Sequence, residues 1–422
     1  MNEYFHSVTL DKALCKGCTN CLKHCPTEAI RIRNGKAKII KERCIDCGEC
    51  IKVCPYHAKK AITDDYDNIF DYKYKIALPA PAFYAQYNDI NIETLIYALE
   101  LLGFDEVKEV TVGADAVSMK TNELLNDVNT LKPLISSSCP AIVRLIKIRF
   151  PSLIPHILPL QSPVDIIAKK TKIETAKRLN IPCEDIGVFF ISPCAAKVTN
   201  SRIPVGVKES FIDGVISISR IVQEIAPFYS KLELKDHATN STSSGIGWAK
   251  SGGESYQLSL FNSIAVDGVD NVIKLLEDLE DDKITDIDFI ECCACTGGCV
   301  GGPLTVNNTY VAQANIKKLM KKYTRENTAL NFNDDDLMLT AKITCEPIMK
   351  LSSNMAESIK MMDEIDQLIE KFPGLDCGSC GAPSCSALAE DVVKGFAKES
   401  DCIFIYKEKL KTLMNEMNQL EE

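Results

Sequence analysis

The sequence predicts an α/β protein flanked by two small cysteine-rich modules, and three observations lead to that reading. The 20 cysteines among 422 residues are clustered, eight of them up to Cys54 and four from Cys377 to Cys402. Between the clusters, short β-rich runs alternate with longer helical stretches, as α/β domains do. With 46% hydrophobic and 25% charged residues the chain has ample core, and its 422 residues suit roughly three domains.

The N-terminal module, 1–66, repeats one cysteine spacing: CKGCTNCLKHCP (Cys15, Cys18, Cys21, Cys25), then CIDCGECIKVCP (Cys44, Cys47, Cys50, Cys54). Two copies of C-x2-C-x2-C-x3-C-P are the signature of a two-cluster ferredoxin, in which the fourth cysteine of each motif ligates the other cluster. The expected sets are Cys15, Cys18, Cys21 and Cys54 for one 4Fe-4S cubane, and Cys44, Cys47, Cys50 and Cys25 for the other. Zinc is the weaker alternative, since it favours paired ligands over triplets. Residues 1–60 hold twelve Lys/Arg against six Asp/Glu. These cations offset clustered thiolates, or form a docking face for an acidic electron carrier.

Other classes are excluded on composition. A net charge of −10 argues against general nucleic-acid binding. No run approaches ~18 consecutive apolar residues, so a membrane-spanning helix is not expected. The opening residues show no export leader, so a cytoplasmic, reducing setting is expected and disulfides are a poor use for the cysteines.

The central domain, 72–351, contains the runs KIALPA (75–80), PLIS (133–136), GVFFIS (187–192) and IDFIE (287–291), with helical patterns at 93–102 and 164–179. Cysteines follow three of these runs: Cys139 in ISSSCPAIVRL, Cys194 in ISPCAAKV, and Cys295 and Cys299 in IECCACTGGCVGG. Ligands of an open α/β sheet gather at the carboxyl ends of its strands. Three such turns would present four thiolates to one crevice, and Gly297, Gly298, Gly301 and Gly302 would let the backbone close in.

These three segments resemble, in order, the signature motifs of iron-only (FeFe) hydrogenases. LGFDEVKEVTVGADAVSM (102–119), PLQSP (159–163) and SSGIGWAKSGGESYQL (243–258) resemble further stretches of the same domain. The resemblance implies an H-cluster: a 4Fe-4S cubane joined to a two-iron subcluster carrying CO, cyanide and a bridging dithiolate. By position, Cys139, Cys194, Cys295 and Cys299 would hold the cubane, with Cys299 bridging. Lys197 matches the lysine that binds a cyanide, as a charge-assisted donor. The implied reaction is 2H⁺ + 2e⁻ ⇌ H₂.

Departures from the family pattern concern protons. The cysteine that shuttles protons beside the first ligand is Ser138 here, the second-motif methionine is Ser192, and the third-motif methionine is Cys293. The usual glutamates of the G-A-D stretch are Lys120 and Thr121, with Glu123 available as a replacement; Ala82 and Val164 replace two further polar residues. Keeping the metal ligands while losing the relay resembles the sensory branches of the family. Cys293 reads as a replacement proton carrier or as a buried small residue. Cys183, Cys292 and Cys345 read as structural, and no histidine falls in the motifs.

After Leu351, Met355, Ile359, Met362, Ile365, Ile369 and Phe372 recur at helical spacing and predict a connecting helix over 352–373. Cys377, Cys380, Cys385 and Cys402 then suit a third accessory 4Fe-4S cluster in a small helical module, 374–406, with zinc as the alternative. A terminal helix, 407–422, gathers Leu410, Leu413, Met414, Met417 and Leu420 on one face, for packing against the chain's own core or, alternatively, a homodimer contact. The function expected is a slow FeFe-hydrogenase-like oxidoreductase with an H₂- or redox-sensing role, exchanging electrons with a carrier or redox signalling partner. The rivals are an iron–sulfur assembly scaffold and an electron-transfer protein without the two-iron unit. Lys197, needless without a cyanide to anchor, argues against the scaffold.

Overall fold

A computed structural model describes residues 5–88, 91–229, 232, 238–258, 260–324, 332–348 and 350–421; residues 1–4, where the leader reading begins, lie outside it. The chain divides into two compact units. The first comprises Met1–Val8, Ile45–Gly48 and Ala61–Cys345; the second comprises Thr9–Cys44, Glu49–Lys60 and Glu346–Glu422.

The N-terminal part of the second unit has two one-turn helices, α1 (Asn20–Lys23) and α2 (Glu49–Lys52). Strands β1 (Ile30–Arg33) and β2 (Lys36–Ile39) pair antiparallel, Ile30 opposite Ile39. Asn34 and Gly35 connect them with φ of 52° and 68°, the two positive values that a tight hairpin turn requires. The core here is small, and Leu22, Ile30 and Ala37 share it with the thiols of Cys15, Cys21 and Cys54.

The first unit is built on parallel sheets. Strands β3 (Tyr74–Pro79), β4 (Glu106–Val107), β6 (Ile186–Ser192) and β7 (Gly214–Ser217) form one in the order β4-β3-β6-β7. Strands β5 (Leu134–Ile135), β8 (Ser263–Asp267) and β9 (Phe289–Cys293) form another in the order β8-β9-β5. All these pairings are parallel. Parallel strands are covered on both faces and so read as continuous apolar runs; all seven residues of β6 are buried. Phe189 and Ile191 enter one core cluster while Val188 and Phe190 enter another, the two-residue alternation of a strand. Strand β9 ends two residues later than the apolar run suggests, because Cys292 and Cys293 pair in register with Val266 and Asp267.

Helices α3 (Val110–Asn126), α4 (Pro140–Arg149), α5 (Pro163–Leu179) and α6 (Ala195–Arg202) pack on this framework, followed by the single turn α7 (Gly253–Tyr256). Proline opens α4 and α5, where its fixed φ suits the first turn and no amide bond is lost.

The C-terminal part of the second unit comprises α8 (Met355–Lys371), α9 (Cys385–Val393) and α10 (Ile403–Glu421). Asn354 caps α8, accepting from Ala356 N, and Ser384 caps α9, accepting from Ala387 N. Ile365, Phe372, Leu388 and Ile405 close its core. Packing of the terminal face against the chain's own core is not what forms. Leu410, Leu413, Met414, Met417 and Leu420 are all exposed, because α10 leaves the module after Ile405 and runs on past its core. Cys183 and Cys345, read as structural, are exposed as well; of the three only Cys292 is buried. Among the described residues no helix is long and apolar enough to cross a membrane.

Candidate metal centres and the central cavity

In the first unit, β5, β6 and β9 each run into a turn bearing cysteine. Cys139 precedes α4, Cys194 precedes α6, and Cys295 and Cys299 follow β9. These four line one cavity of about 120 Å³ together with Lys197 and Cys47. Gly302 lets the Cys299 turn lie against the Cys194 turn, since a Cβ there would sit 2.3 Å from Pro193 O.

The donor set fits a metal cluster. Burial, then the charges of Cys295 and Cys139, push the Cys194 thiol up to about 12. Burial, then Cys194, Cys139 and Cys295, push Cys299 up as well. Sulfurs that raise one another's pKa are close together, and a bound cation turns that mutual penalty into ligation by thiolates. Lys197 lowers both pKa values from the cavity wall. Its Nζ donates to Ser162 Oγ at 2.7 Å, and Ser162 in turn donates to Asp165 Oδ2 at 2.6 Å, so the ammonium is held in place.

Cys47 reaches the cavity on a segment tied down by Asp46, which is 1% exposed. Asp46 accepts from Val8 N at 3.0 Å and from Thr199 Oγ1 of α6 at 2.9 Å, and bonds His6 Nδ1 at 2.8 Å. The Cys47 segment and the helix that follows Cys194 thus share one buried carboxylate.

The opposite wall holds residues that the motifs did not single out. Glu254 and Glu291 line the cavity with Ser136, Ser138 and Cys293. Glu254 Oε2 accepts from Ser136 Oγ at 2.7 Å; its Oε1 and Ser138 Oγ are buried with no hydrogen-bond partner among the described residues. Glu291 accepts from Gly252 N at 2.9 Å and Ser255 N at 2.8 Å, and Cys293 Sγ donates to its Oε1 at 3.8 Å. Burial, then the neighbouring Glu291, drives Glu254 far above the usual carboxylate range. Burial raises Glu291 too, against the pull of the Ser255 and Gly252 donors. One carboxyl therefore keeps its proton beside a partner better equipped to carry charge. Glu291 gave one signal in the sequence, an ionisable residue that ends the run IDFIE just before the cysteines; Glu254 gave none beyond its place in a resembling stretch. Glu123 is no part of this wall. Its carboxylate pairs with Lys120 Nζ at 2.9 Å at the surface, because α3 turns that face outward.

Two further sets converge within the second unit. Cys15, Cys18, Cys21 and Cys54 line a cavity of about 10 Å³, as do Cys377, Cys380, Cys385 and Cys402. Burial raises Cys54, but donors from the Lys59, Ala58 and Tyr56 backbone outweigh it and leave the thiol below its ordinary value. The remaining set is divided, Cys47 falling in the first unit and Cys25, Cys44 and Cys50 in the second.

Comparison with known proteins identifies the family. The family described as "Iron only hydrogenase large subunit, C-terminal domain" matches residues 73–259 and 253–303, more than half of the chain. A 4Fe-4S dicluster domain matches 7–55, and an Fe-S cluster family matches 372–404. The periplasmic [Fe] hydrogenase large subunit of Nitratidesulfovibrio vulgaris is 31% identical over 215 residues, 46% of this chain and 51% of that protein. Iron hydrogenase 1 of Clostridium pasteurianum is 25% identical over 418 residues, 78% of this chain and 72% of that protein. The chain thus spans about half the length of the first of these relatives. A solved variant of the HydA1 [FeFe]-hydrogenase of Chlamydomonas reinhardtii aligns with a TM-score of 0.48 at 20% identity, covering 64% of this chain and 94% of that one. On its sequence match, this chain belongs to the iron-only hydrogenase family.

Proposed function

We propose that this chain interconverts protons, electrons and H₂ at an H-cluster held in the central cavity. The observation that carries the reading is the convergence of Cys139, Cys194, Cys295 and Cys299 with a fixed Lys197 on one cavity. The four thiolates would hold the cubane with Cys299 bridging to the two-iron subcluster, and Lys197 Nζ would anchor a cyanide. When bound, that group supplies the open iron position at which 2H⁺ + 2e⁻ ⇌ H₂ takes place.

The chain's own residues would supply enclosure, a charge anchor and a proton route. Pro81, Val110, Val164 and Phe190 line the cavity with apolar surface and limit water. Glu254 holds a proton at a buried carboxyl and Glu291 stands ready to exchange one with Cys293 Sγ, so protons would pass along Cys293, Glu291 and Glu254 towards Ser136. Ser138 Oγ faces the same cavity, but a hydroxyl gives up a proton far less readily than a thiol near pKa 8.5, which favours slow turnover. Electrons would be exchanged with a carrier or redox signalling partner by way of the accessory clusters.

An H₂- or redox-sensing role rests on the slow relay together with the added C-terminal cluster site, and the reduced thiols suit a cytoplasmic setting. A homodimer is supported by the exposed apolar face of α10.

Loading the protein with the two-iron cofactor and recording its infrared spectrum tests the reading. Carbonyl and cyanide bands are expected; their absence sinks it in favour of a scaffold or plain electron carrier. Ser138→Cys should raise H₂ turnover, and an unchanged rate would count against the slow-relay argument.

A further inference from the structure

The second unit brings the C-terminal cysteine loop onto the N-terminal hairpin through contacts that neither motif foretells. Ile32 N, on the free edge of β1, donates to Gly381 O at 2.8 Å, and Arg33 Nη1 donates to Cys380 O at 3.2 Å. The loop is thereby added to the hairpin edge as a short strand would be. Gly381 has φ of +80°, and a Cβ there would lie 2.1 Å from Ile32 O, so the approach needs glycine.

Buried charge fixes the same junction. Asp391 of α9 accepts from Arg31 Nε at 2.7 Å and Nη2 at 3.1 Å, and from Arg33 Nη2 at 2.8 Å, with the Asp391 side chain 8% exposed. Arg43 pairs with Glu390, and Ser384 Oγ donates to Glu28 Oε1 at 3.1 Å. Such pairs cost much desolvation and hold only one geometry. Part of the basic excess of residues 1–60 is therefore spent on α9, not on an external carrier.

The contact lies between the two cysteine loops themselves. A Cβ at Gly378, next to Cys377, would lie 3.4 Å from Leu22 Cδ2 and Lys23 Cε and 3.6 Å from Thr19 Cγ2. Thr19 and Leu22 flank Cys18 and Cys21 of the first ligand set. A module attached only for stability could dock by any face; this one docks by its cysteine loop.

We infer that the C-terminal cluster exchanges electrons directly with the cluster on Cys15, Cys18, Cys21 and Cys54, across a junction locked by Gly381, Asp391 and Arg31. One electron leaves the reduced C-terminal cubane and enters the oxidised first cubane, with no bond made or broken and no proton moved. A one-electron protein carrier at the C-terminal module is the external donor or acceptor. Asp391 and Arg31 are positioning residues, since they act by pairing with each other across the junction.

Electron paramagnetic resonance on the full-length protein carrying its cubanes tests this. The signal lost in the Cys385→Ser/Cys402→Ser double variant belongs to the C-terminal cluster. In the fully reduced parent it should be broadened by dipolar coupling to a second cubane, and that broadening should disappear in Cys18→Ser/Cys21→Ser. Gly381→Val, which opens the junction, should lose the coupling at unchanged iron and sulfide content. A magnetically isolated C-terminal signal in the parent, zinc in place of iron, or coupling that survives Gly381→Val would each overturn the inference. If Gly381→Val does not fold, the parent signal decides. No step uses the two-iron unit, so failure here leaves the hydrogen chemistry standing.

Discussion

Glu254 and Glu291 show how burial changes what a pair of carboxyls can do. Neither carboxyl is unusual in isolation, yet enclosure disfavours charge on both, and the N–H donors around Glu291 leave Glu254 as the proton holder. Glu254→Gln keeps the size and the acceptor for Ser136 but removes the exchangeable proton. It should lower H₂ turnover by about 10²-fold or more while leaving the infrared bands in place. Turnover within a factor of two of the parent would remove Glu254 from the route. Asp115 of α3 offers a separate test of buried charge. Burial pushes its carboxyl up to about 6 from an ordinary 3.8, against the pull of the Thr242 hydroxyl. A raised carboxyl stabilises the fold while protonated, so this contribution is complete below pH ~4 and is lost as pH rises through about 6. Relative to Asp115→Asn, the parent should therefore gain about 1 kcal/mol between pH 7 and pH 5 in denaturant titrations. Parallel pH profiles for the two proteins would show that Asp115 does not titrate in this window.

The helices illustrate how one periodicity serves two ends. In α8 the apolar positions divide: Ile365 is buried and Phe372 closes the core just beyond its end, while Met355, Ile359 and Met362 stay exposed. In α10, Ile403, Tyr406, Leu410, Leu413, Met417 and Leu420 alternate steps of three and four, the heptad seam of a coiled coil. An antiparallel pair would set Lys409 against Glu416 twice, so charge favours the antiparallel arrangement. Leu413→Glu, at the centre of the seam, should convert a dimer to a monomer in sedimentation equilibrium without loss of iron. A parent that is already monomeric at micromolar concentration would dispose of the α10 dimer. The cysteine-bearing turns of the central cavity follow a simpler rule: each comes after a parallel strand, and Cys139 and Cys194 themselves stand immediately before the next helix.

At the scale of the molecule, the two units differ in how their cores are made. The first has extensive apolar clusters around Phe83, Phe189 and Ile216 and around Ile76, Leu78 and Val188. The second has small cores in which cysteines are themselves members, such as Cys15, Cys21 and Cys54, or Cys402 beside Leu388. Small cores cannot offset the chain entropy without a staple. Removing iron by chelation under reducing conditions should therefore abolish hydrogen-exchange protection in β1, β2 and α9 while β3 and β6 stay protected. Equal loss in both units would show that the first is also held together by its cluster.

The sequence by itself determined the cysteine spacings, the α/β character of the central domain and the strand runs before the cysteine turns. Those features depend on short spacing and local periodicity, which a linear chain records directly. Glu254 and Glu291 became a pair only through the fold, because they lie 37 residues apart and their coupling exists only once water is excluded. The docking of Gly381 on Ile32 and of Asp391 on Arg31 was equally invisible, since about 350 residues separate the partners and each alone reads as a surface charge or a loop glycine. The exposed face of α10 has the same cause: a hydrophobic repeat states that something must be covered, and only packing decides whether the chain itself covers it.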